Sequence, residues 1–112
     1  MSITINNKTF KALSNTENGE VSSHTVFHYH QEKEVIWAKY GGGNILKGFL
    51  IGKRINDTLT FSYQHVNVDM EILTGNCNTR MELNEEDRVV LYETWQWTCK
   101  DCSKGESVLI EV

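Results

Sequence analysis

The sequence predicts an all-β protein, an eight-stranded antiparallel up-and-down β-barrel. Apolar and polar residues alternate along most of the 112 residues, which is the period of a β-strand, and helical periodicity is hard to find. The connections between the alternating segments are too short to hold a crossover helix, so neighbouring strands should pair antiparallel. Proline is absent, which suits a closed barrel without edge strands. A two-sheet β-sandwich is the alternative, because strand periodicity alone does not distinguish the two.

Eight segments carry the alternation, with ends expected to be accurate to about two to four residues. They are Ile3–Leu13, Thr25–Gln31, Val35–Tyr40, Ile45–Gly52, Thr58–Asn67, Glu71–Thr79, Arg88–Thr98 and Ser107–Val112. Turn-forming residues separate them, with Asn18-Gly19 in the first connection and three consecutive glycines from Gly41 in the third. A flat sheet of eight strands would leave two exposed edges, and closure into a barrel removes both.

Length and charge limit the functions that the chain can have. A chain of 112 residues is long enough for one core, so we expect residues 1–112 to form a single β-barrel domain. The net charge is −4 with Lys and Arg scattered, which argues against nucleic acid or an anionic membrane as a main partner. No signal peptide is recognisable at the N-terminus, and no apolar run approaches the roughly 20 residues of a membrane span. The cytoplasm is therefore the expected location.

Cysteines and histidines give no clear metal site. Three cysteines are present, and Cys99 and Cys102 have the Cys-x-x-Cys spacing. A zinc site would need further ligands, and a redox motif would open a helix, whereas this pair follows a strand. We therefore expect two free thiols near a loop. His28 and His30 share one face of a strand without an evident third ligand, so neither a metal nor a cofactor is predicted.

The alternation also indicates which side chains point into the barrel. Lys39 and Lys47 mark the outer faces of their strands, and the polar residues that alternate with apolar ones along residues 58–67 mark the outer face of that strand. On this basis the inward residues include Phe27, Tyr29, Ile36, Ala38, Tyr40, Leu46, Gly48, Leu50, Leu59, Phe61, Tyr63 and His65.

The strand near residues 89–97 carries the candidate site. One of its faces presents Glu93 in line with Trp95 and Trp97. A barrel filled only for stability would prefer aliphatic residues there, because buried polar groups cost free energy unless each has a partner. The same interior receives tyrosines and a histidine from other strands. The predicted ligand-binding residues are Tyr29, Tyr40, Tyr63, His65, Glu93, Trp95 and Trp97.

Three functions fit these residues. The first is a small molecule bound in the barrel interior or mouth, with Glu93, Tyr63 and His65 as polar anchors and aromatic side chains as walls. The second is an isomerase, lyase or hydrolase in which Glu93 and His65 transfer protons, since desolvation beside Trp95 would raise the pKa of Glu93. The third is a protein-interaction module or homodimer that uses the outward face of Trp37.

Several segments of the chain resemble a group of small uncharacterised bacterial proteins, and the resemblance covers nearly the whole chain. They are Gly19–Ser23, Val35–Ile45, Gly48–Gly52, Tyr63–Asn67, Thr74–Cys77 and Glu93–Thr98. These proteins are often given the name N-acetylglutamate synthase. Acetyl-CoA-dependent acetyltransferases have a mixed α/β fold with a glycine-rich pyrophosphate loop that opens a helix. This sequence has neither, so that activity is not expected.

In architecture the chain is similar to the calycin-like barrels of the lipocalin, fatty-acid-binding and avidin type. The resemblance implies a closed up-and-down barrel. It identifies no binding residue, because none of the binding motifs of those proteins is matched.

Overall fold

The computed structural model describes residues 3–112, and in this range eight antiparallel strands form a closed barrel. The strands are β1 (Lys8–Asn15), β2 (Val26–Glu32), β3 (Val35–Gly42), β4 (Ile45–Ile55), β5 (Thr58–Asn67), β6 (Ile72–Leu83), β7 (Val89–Trp97) and β8 (Lys104–Glu111). Each strand pairs with the next one along the chain, and β8 closes the barrel by pairing with β1. The predicted up-and-down barrel is confirmed, and the alternative of a two-sheet sandwich is wrong because the hydrogen bonding is continuous around the sheet.

The first strand begins later than its alternation predicts. Ile3 and Ile5 are buried in the core, but a turn follows them and β1 begins only at Lys8. Asn7 has a φ of 61° in this turn, a conformation that asparagine adopts more readily than most other residues. The turn therefore separates the buried isoleucines from the strand that the sequence pattern had joined to them. Within residues 3–112, no helix has the length and apolar character that crossing a membrane requires.

Leu46 was predicted to point inward and instead lies outside, with 54% of its surface exposed. Ile45 pairs with Asn67 and Lys47 pairs with Val66, so Leu46 is an extra residue between two consecutive pairs of the β4–β5 ladder. This β-bulge changes the phase of the alternation. Leu46 and Lys47 consequently both face solvent, while the residues on either side of them are buried.

Besides β1, three strands have one end that lies three or four residues from the predicted one. β4 continues to Ile55 and is joined to β5 by Asn56 and Asp57, with Asn56 at a φ of 56°. β6 continues to Leu83 instead of Thr79, and β8 begins at Lys104 instead of at the predicted Ser107. The additional residues of β4 and β6 extend the sheet beside the β4–β5 and β6–β7 turns, whereas those of β8 extend it beside the β7–β8 turn.

The character of the core changes along the barrel axis. The inward residues of β7 show this: Val89 and Leu91 are aliphatic, Glu93 is a buried carboxyl group, and Trp95 and Trp97 are aromatic. Because neighbouring strands contribute residues at the same levels, the barrel has an aliphatic end near the β6–β7 turn and an aromatic end near the β7–β8 turn. The candidate site lies in the aromatic end.

Candidate functional site

The structure brings six of the seven predicted ligand-binding residues around one internal cavity. Its volume is about 40 Å³. Among the side chains that line it are Tyr40, Tyr63, His65, Glu93, Trp95 and Trp97. They come from strands β3, β5 and β7, and they converge because the inward face of each strand continues into the aromatic end of the barrel.

The seventh predicted residue, Tyr29, is fully buried but does not line this cavity. It lies on β2 two residues beyond Phe27, which does line it. The ring of Tyr29 contacts Phe10 edge-on, with ring centroids 5.3 Å apart. Its hydroxyl group has no hydrogen-bond partner in the part of the chain that the structure describes. Burial, reinforced by the nearby Glu93, raises the pKa of Tyr29.

Glu93 is the central polar group of the cavity. The Ser107 hydroxyl group on the neighbouring strand β8 donates a 2.8 Å hydrogen bond to Oε1 of Glu93. Burial raises the pKa of Glu93 to about 7, and the hydrogen bond from Ser107 opposes this shift. No basic side chain of residues 3–112 forms an ion pair with it. Near neutral pH the carboxyl group is therefore divided between its protonated and ionised forms.

The two tryptophans form a continuous aromatic wall. The ring centroids of Trp95 and Trp97 are 5.4 Å apart, and the ring of Trp97 lies 5.9 Å from that of Tyr63. Trp95 Nε1 donates to Oδ1 of Asn15 at 3.0 Å. Trp97 Nε1 donates to the backbone oxygen of Asn18 at 3.0 Å. Both indole N–H groups are thus engaged, one by the last residue of β1 and the other by the connection between β1 and β2. The ring faces are left to line the cavity.

His65 has protein partners at both ring nitrogens. Nδ1 lies 3.0 Å from the hydroxyl oxygen of Tyr40, and Nε2 lies 2.7 Å from Oε1 of Glu20. The His65 ring also contacts Trp97, with centroids 5.9 Å apart. As long as these contacts persist, His65 has no ring nitrogen free for a proton transfer with Glu93.

The connection between β1 and β2, residues 16–25, covers the mouth of the barrel, and we call it the lid. Gly19, Glu20 and Val21 of the lid line the cavity. Its Asn18 side chain donates to Ser103 Oγ and to the backbone oxygen of Lys104, at 3.0 and 2.9 Å. A Cβ atom at Gly19 would lie 2.8 Å from the Trp95 ring, so the lid approaches the wall closely only because this residue is glycine.

Glu20 and Asn15 line the cavity of the candidate site, and sequence reasoning missed both. Both contact residues far along the chain, and neither follows the alternation that identified the other candidates. The length of the connection, ten residues where the β4–β5 turn has two, is the signal that could have drawn attention to it.

The remaining candidates from the sequence lie away from the cavity. Trp37 is on the outer surface, 37% exposed, beside the ring of His30. His28 and His30 are hydrogen-bonded to Thr9 and Asn7 respectively. Across residues 3–112, no cluster of three or more His, Cys, Asp or Glu side chains has a geometry suited to a metal ion. The three cysteines are free thiols.

A family model described as avidin-like protein matches residues 3–112. The fold thus places the chain among small antiparallel β-barrels that have a cavity in their interior. The chain belongs to the avidin-like family. The resemblance to barrels of the avidin type is therefore confirmed. Comparison with curated proteins and with solved structures found no match.

Proposed function

We propose that this protein binds a small molecule inside the barrel, between the carboxyl group of Glu93 and the indole rings of Trp95 and Trp97. The observation that carries the proposal is the buried position of Glu93 beside an aromatic cavity, with Ser107 as its hydrogen-bond partner. A carboxyl group placed in this way costs stability, and ligand recognition would explain why the barrel contains it. Membership of the avidin-like family supports small-molecule binding by the barrel.

The volume of the cavity indicates how a ligand would bind. A cavity of about 40 Å³ has room for roughly three water molecules, since one water needs about 10–15 Å³ measured in this way. Pockets for drug-sized ligands have volumes of about 300–1,000 Å³. A ligand larger than a few atoms therefore requires the lid to move away from the mouth. The walls favour a ring-bearing molecule, and the Glu93–Ser107 pair favours a polar group on that ring.

Native mass spectrometry of freshly purified protein tests the proposal directly, because it detects a retained ligand. Tryptophan fluorescence then follows titration with biotin and with a panel of ring-bearing metabolites. Saturable quenching is expected in the unaltered protein, with binding weakened at least about tenfold in Glu93→Ala, a loss of roughly 1.4 kcal/mol. Trp37→Phe, which alters an indole on the outer surface, is the matched control and should leave the affinity unchanged. Equal affinity in Glu93→Ala would place the ligand elsewhere.

Acid–base catalysis by Glu93 is the second candidate function, and the pKa of about 7 is the observation that favours it. A carboxyl group that titrates near neutral pH can both remove and return a proton. Catalysis in concert with His65 would require Glu20 to leave His65 first. If a ligand identified by mass spectrometry is incubated with the protein and recovered without chemical change by NMR, a catalytic role for that ligand is excluded.

We also propose that a second copy of the chain binds to the outer face of β3 and β4. Trp37, Phe49 and Ile51 are 37%, 53% and 62% exposed on this face, and Trp37 pairs with Ile51 across the two strands. An apolar patch of this kind is typical of protein contacts. Analytical ultracentrifugation should show a dimer that Ile51→Lys disrupts and Leu13→Lys, an exposed site on β1, does not. A monomer at every concentration would exclude this interface.

A further inference from the structure

Asn67, at the end of β5, presents a buried N–H group to the mouth of the barrel. Its Oδ1 accepts hydrogen bonds from the backbone N–H groups of Asp69 and Glu71, at 3.0 and 2.9 Å. These two donors fix the orientation of the amide, since only the oxygen can accept them. The Nδ2 group then donates to Oε1 of Glu71 at 2.9 Å and to Oε2 of Glu20 at 3.0 Å. Asn67 therefore has one N–H directed at the lid.

His65 presents a second buried donor beside it. Oε1 of Glu20 can only accept when the carboxylate is ionised, so the 2.7 Å contact assigns the proton to Nε2 of His65. Burial raises the pKa of Tyr40, which keeps its hydroxyl group protonated and able to donate to Nδ1 of His65. The neutral imidazole with its proton on Nε2 satisfies both contacts.

The two donors match the two oxygens of one carboxylate. His65 and Asn67 are two residues apart on β5, so both side chains lie on its inner face. His65 binds Oε1 and Asn67 binds Oε2 of the same Glu20 side chain. Both donor residues are buried, whereas the Glu20 side chain retains 18% of its exposure at the rim. The donors are thus held in the rigid sheet, and the acceptor is supplied by a loop.

We infer that His65 and Asn67 form a carboxylate-binding subsite at the barrel mouth, which Glu20 of the lid occupies in the absence of a ligand. Access for a ligand of more than a few atoms requires the lid to move, because Gly19, Glu20 and Val21 line a cavity of only about 40 Å³. When the lid moves, two buried donors lose their acceptors, which is unfavourable unless another acceptor replaces them. A ligand that carries its own carboxylate restores both hydrogen bonds. This last step, the class of ligand, rests on the proposed function.

Chemical rescue tests the subsite without knowledge of the natural ligand. Glu20→Ala removes the occupant, and acetate is then titrated against the variant, with acetamide as a neutral probe of the same shape. Tryptophan fluorescence reports binding because the ring of Trp97 lies 5.9 Å from that of His65, and the side-chain N–H signals of His65 and Asn67 are followed by NMR. We expect saturable binding of acetate, at least about tenfold tighter than that of acetamide.

The unaltered protein and Glu17→Ala, which removes an exposed carboxylate from the same lid, are the controls and should show no saturable response to acetate. Glu20→Gln keeps the size of the side chain while placing an NH₂ group against one donor, so its response to acetate should be intermediate. Equal responses to acetate and acetamide, or no response in Glu20→Ala, would overturn the inference. Failure of both Glu20 variants to fold would make Glu20 a structural residue and overturn it as well.

A second titration separates this inference from the proposed function. Phenylacetate and phenylacetamide share a ring and differ only in the carboxylate, and both are titrated against Glu20→Ala. Equal binding of the two would leave the barrel as a small-molecule site and refute the carboxylate subsite. Rescue by acetate without binding of any ring-bearing probe would uphold the subsite and refute the proposed binding between Glu93 and the indoles.

Discussion

Replacing Glu93 by glutamine should stabilise the barrel at alkaline pH and have much less effect at acid pH. The substitution keeps the shape of the side chain and the oxygen that accepts the Ser107 hydrogen bond. It removes the ability to ionise. The prediction therefore isolates the free-energy cost of a carboxylate in the barrel interior.

The size and sign of the effect follow from the pKa. Burial raises the pKa of Glu93 from 4.5 to about 7, and each unit by which the pKa differs between the folded and unfolded states is worth about 1.4 kcal/mol. The folded protein binds this proton more tightly than the unfolded chain does. Below about pH 4.5 both states are protonated and no cost arises. The cost grows as the pH rises from 4.5 to 7 and reaches about 3 kcal/mol above pH 7.

Urea unfolding of both proteins between pH 4.5 and 8.5 measures this difference. The stability of Glu93→Gln minus that of the unaltered protein should rise by about 3 kcal/mol across the range. In thermal unfolding this corresponds to roughly 10 °C for a domain of this size. Glu86→Gln, which alters an exposed carboxylate, is the control and should give a difference independent of pH. If the difference in stability between Glu93→Gln and the unaltered protein did not change with pH, water would have to reach the carboxylate, and the argument from desolvation would be refuted.

Three further predictions concern the barrel wall, the thiols and the lid. Gly52→Ala should destabilise the fold by about 1–3 kcal/mol in urea unfolding, because the new Cβ would lie 2.0 Å from a backbone oxygen of β5. Gly41→Ala is the control, since the nearest contact of its Cβ would be 3.1 Å. A smaller loss of stability in Gly52→Ala than in Gly41→Ala would contradict the prediction. The exposed Cys102 should react rapidly with a thiol reagent, and the buried Cys77 should react only after unfolding, since burial raises the pKa of the Cys77 thiol. Fast reaction of both thiols would show that the barrel opens. Asn15→Ala should increase acrylamide quenching of tryptophan fluorescence, because Asn15 accepts from the indole N–H of Trp95 and donates to the backbone oxygen of Val21 in the lid. Unchanged quenching would mean that other contacts hold the lid in place.

The fold could be predicted from the sequence because its information is local. Alternation specifies the two faces of each strand, and short connections restrict neighbouring strands to antiparallel pairing. The same alternation placed Tyr63, His65, Glu93 and Trp95 in one interior, since residues that face inward on different strands of a closed barrel must share its core. The prediction of Leu46 failed because a bulge at this position changes the phase of the alternation.

The lid could not be predicted in this way. Its decisive contacts join Glu20 to His65 and Asn67, residues 45 and 47 positions away, and a loop has no period that would indicate which of its side chains turns inward. Glu17 and Glu20 are equally plausible as exposed carboxylates in the sequence. Only the closed geometry of the barrel shows that one of them enters the mouth and the other stays in solvent.

Ionisation of Glu93 and opening of the lid are linked by the same physical cause. Desolvation is the largest contribution to the raised pKa of Glu93, and the lid supplies part of the cover that keeps water out. Opening the lid admits water, which stabilises the carboxylate and lowers the pKa. By thermodynamic linkage, a protonated Glu93 must then favour the closed lid, and an ionised Glu93 must favour the open one. If the lid opens as proposed above, access through the mouth is therefore coupled to the protonation of Glu93.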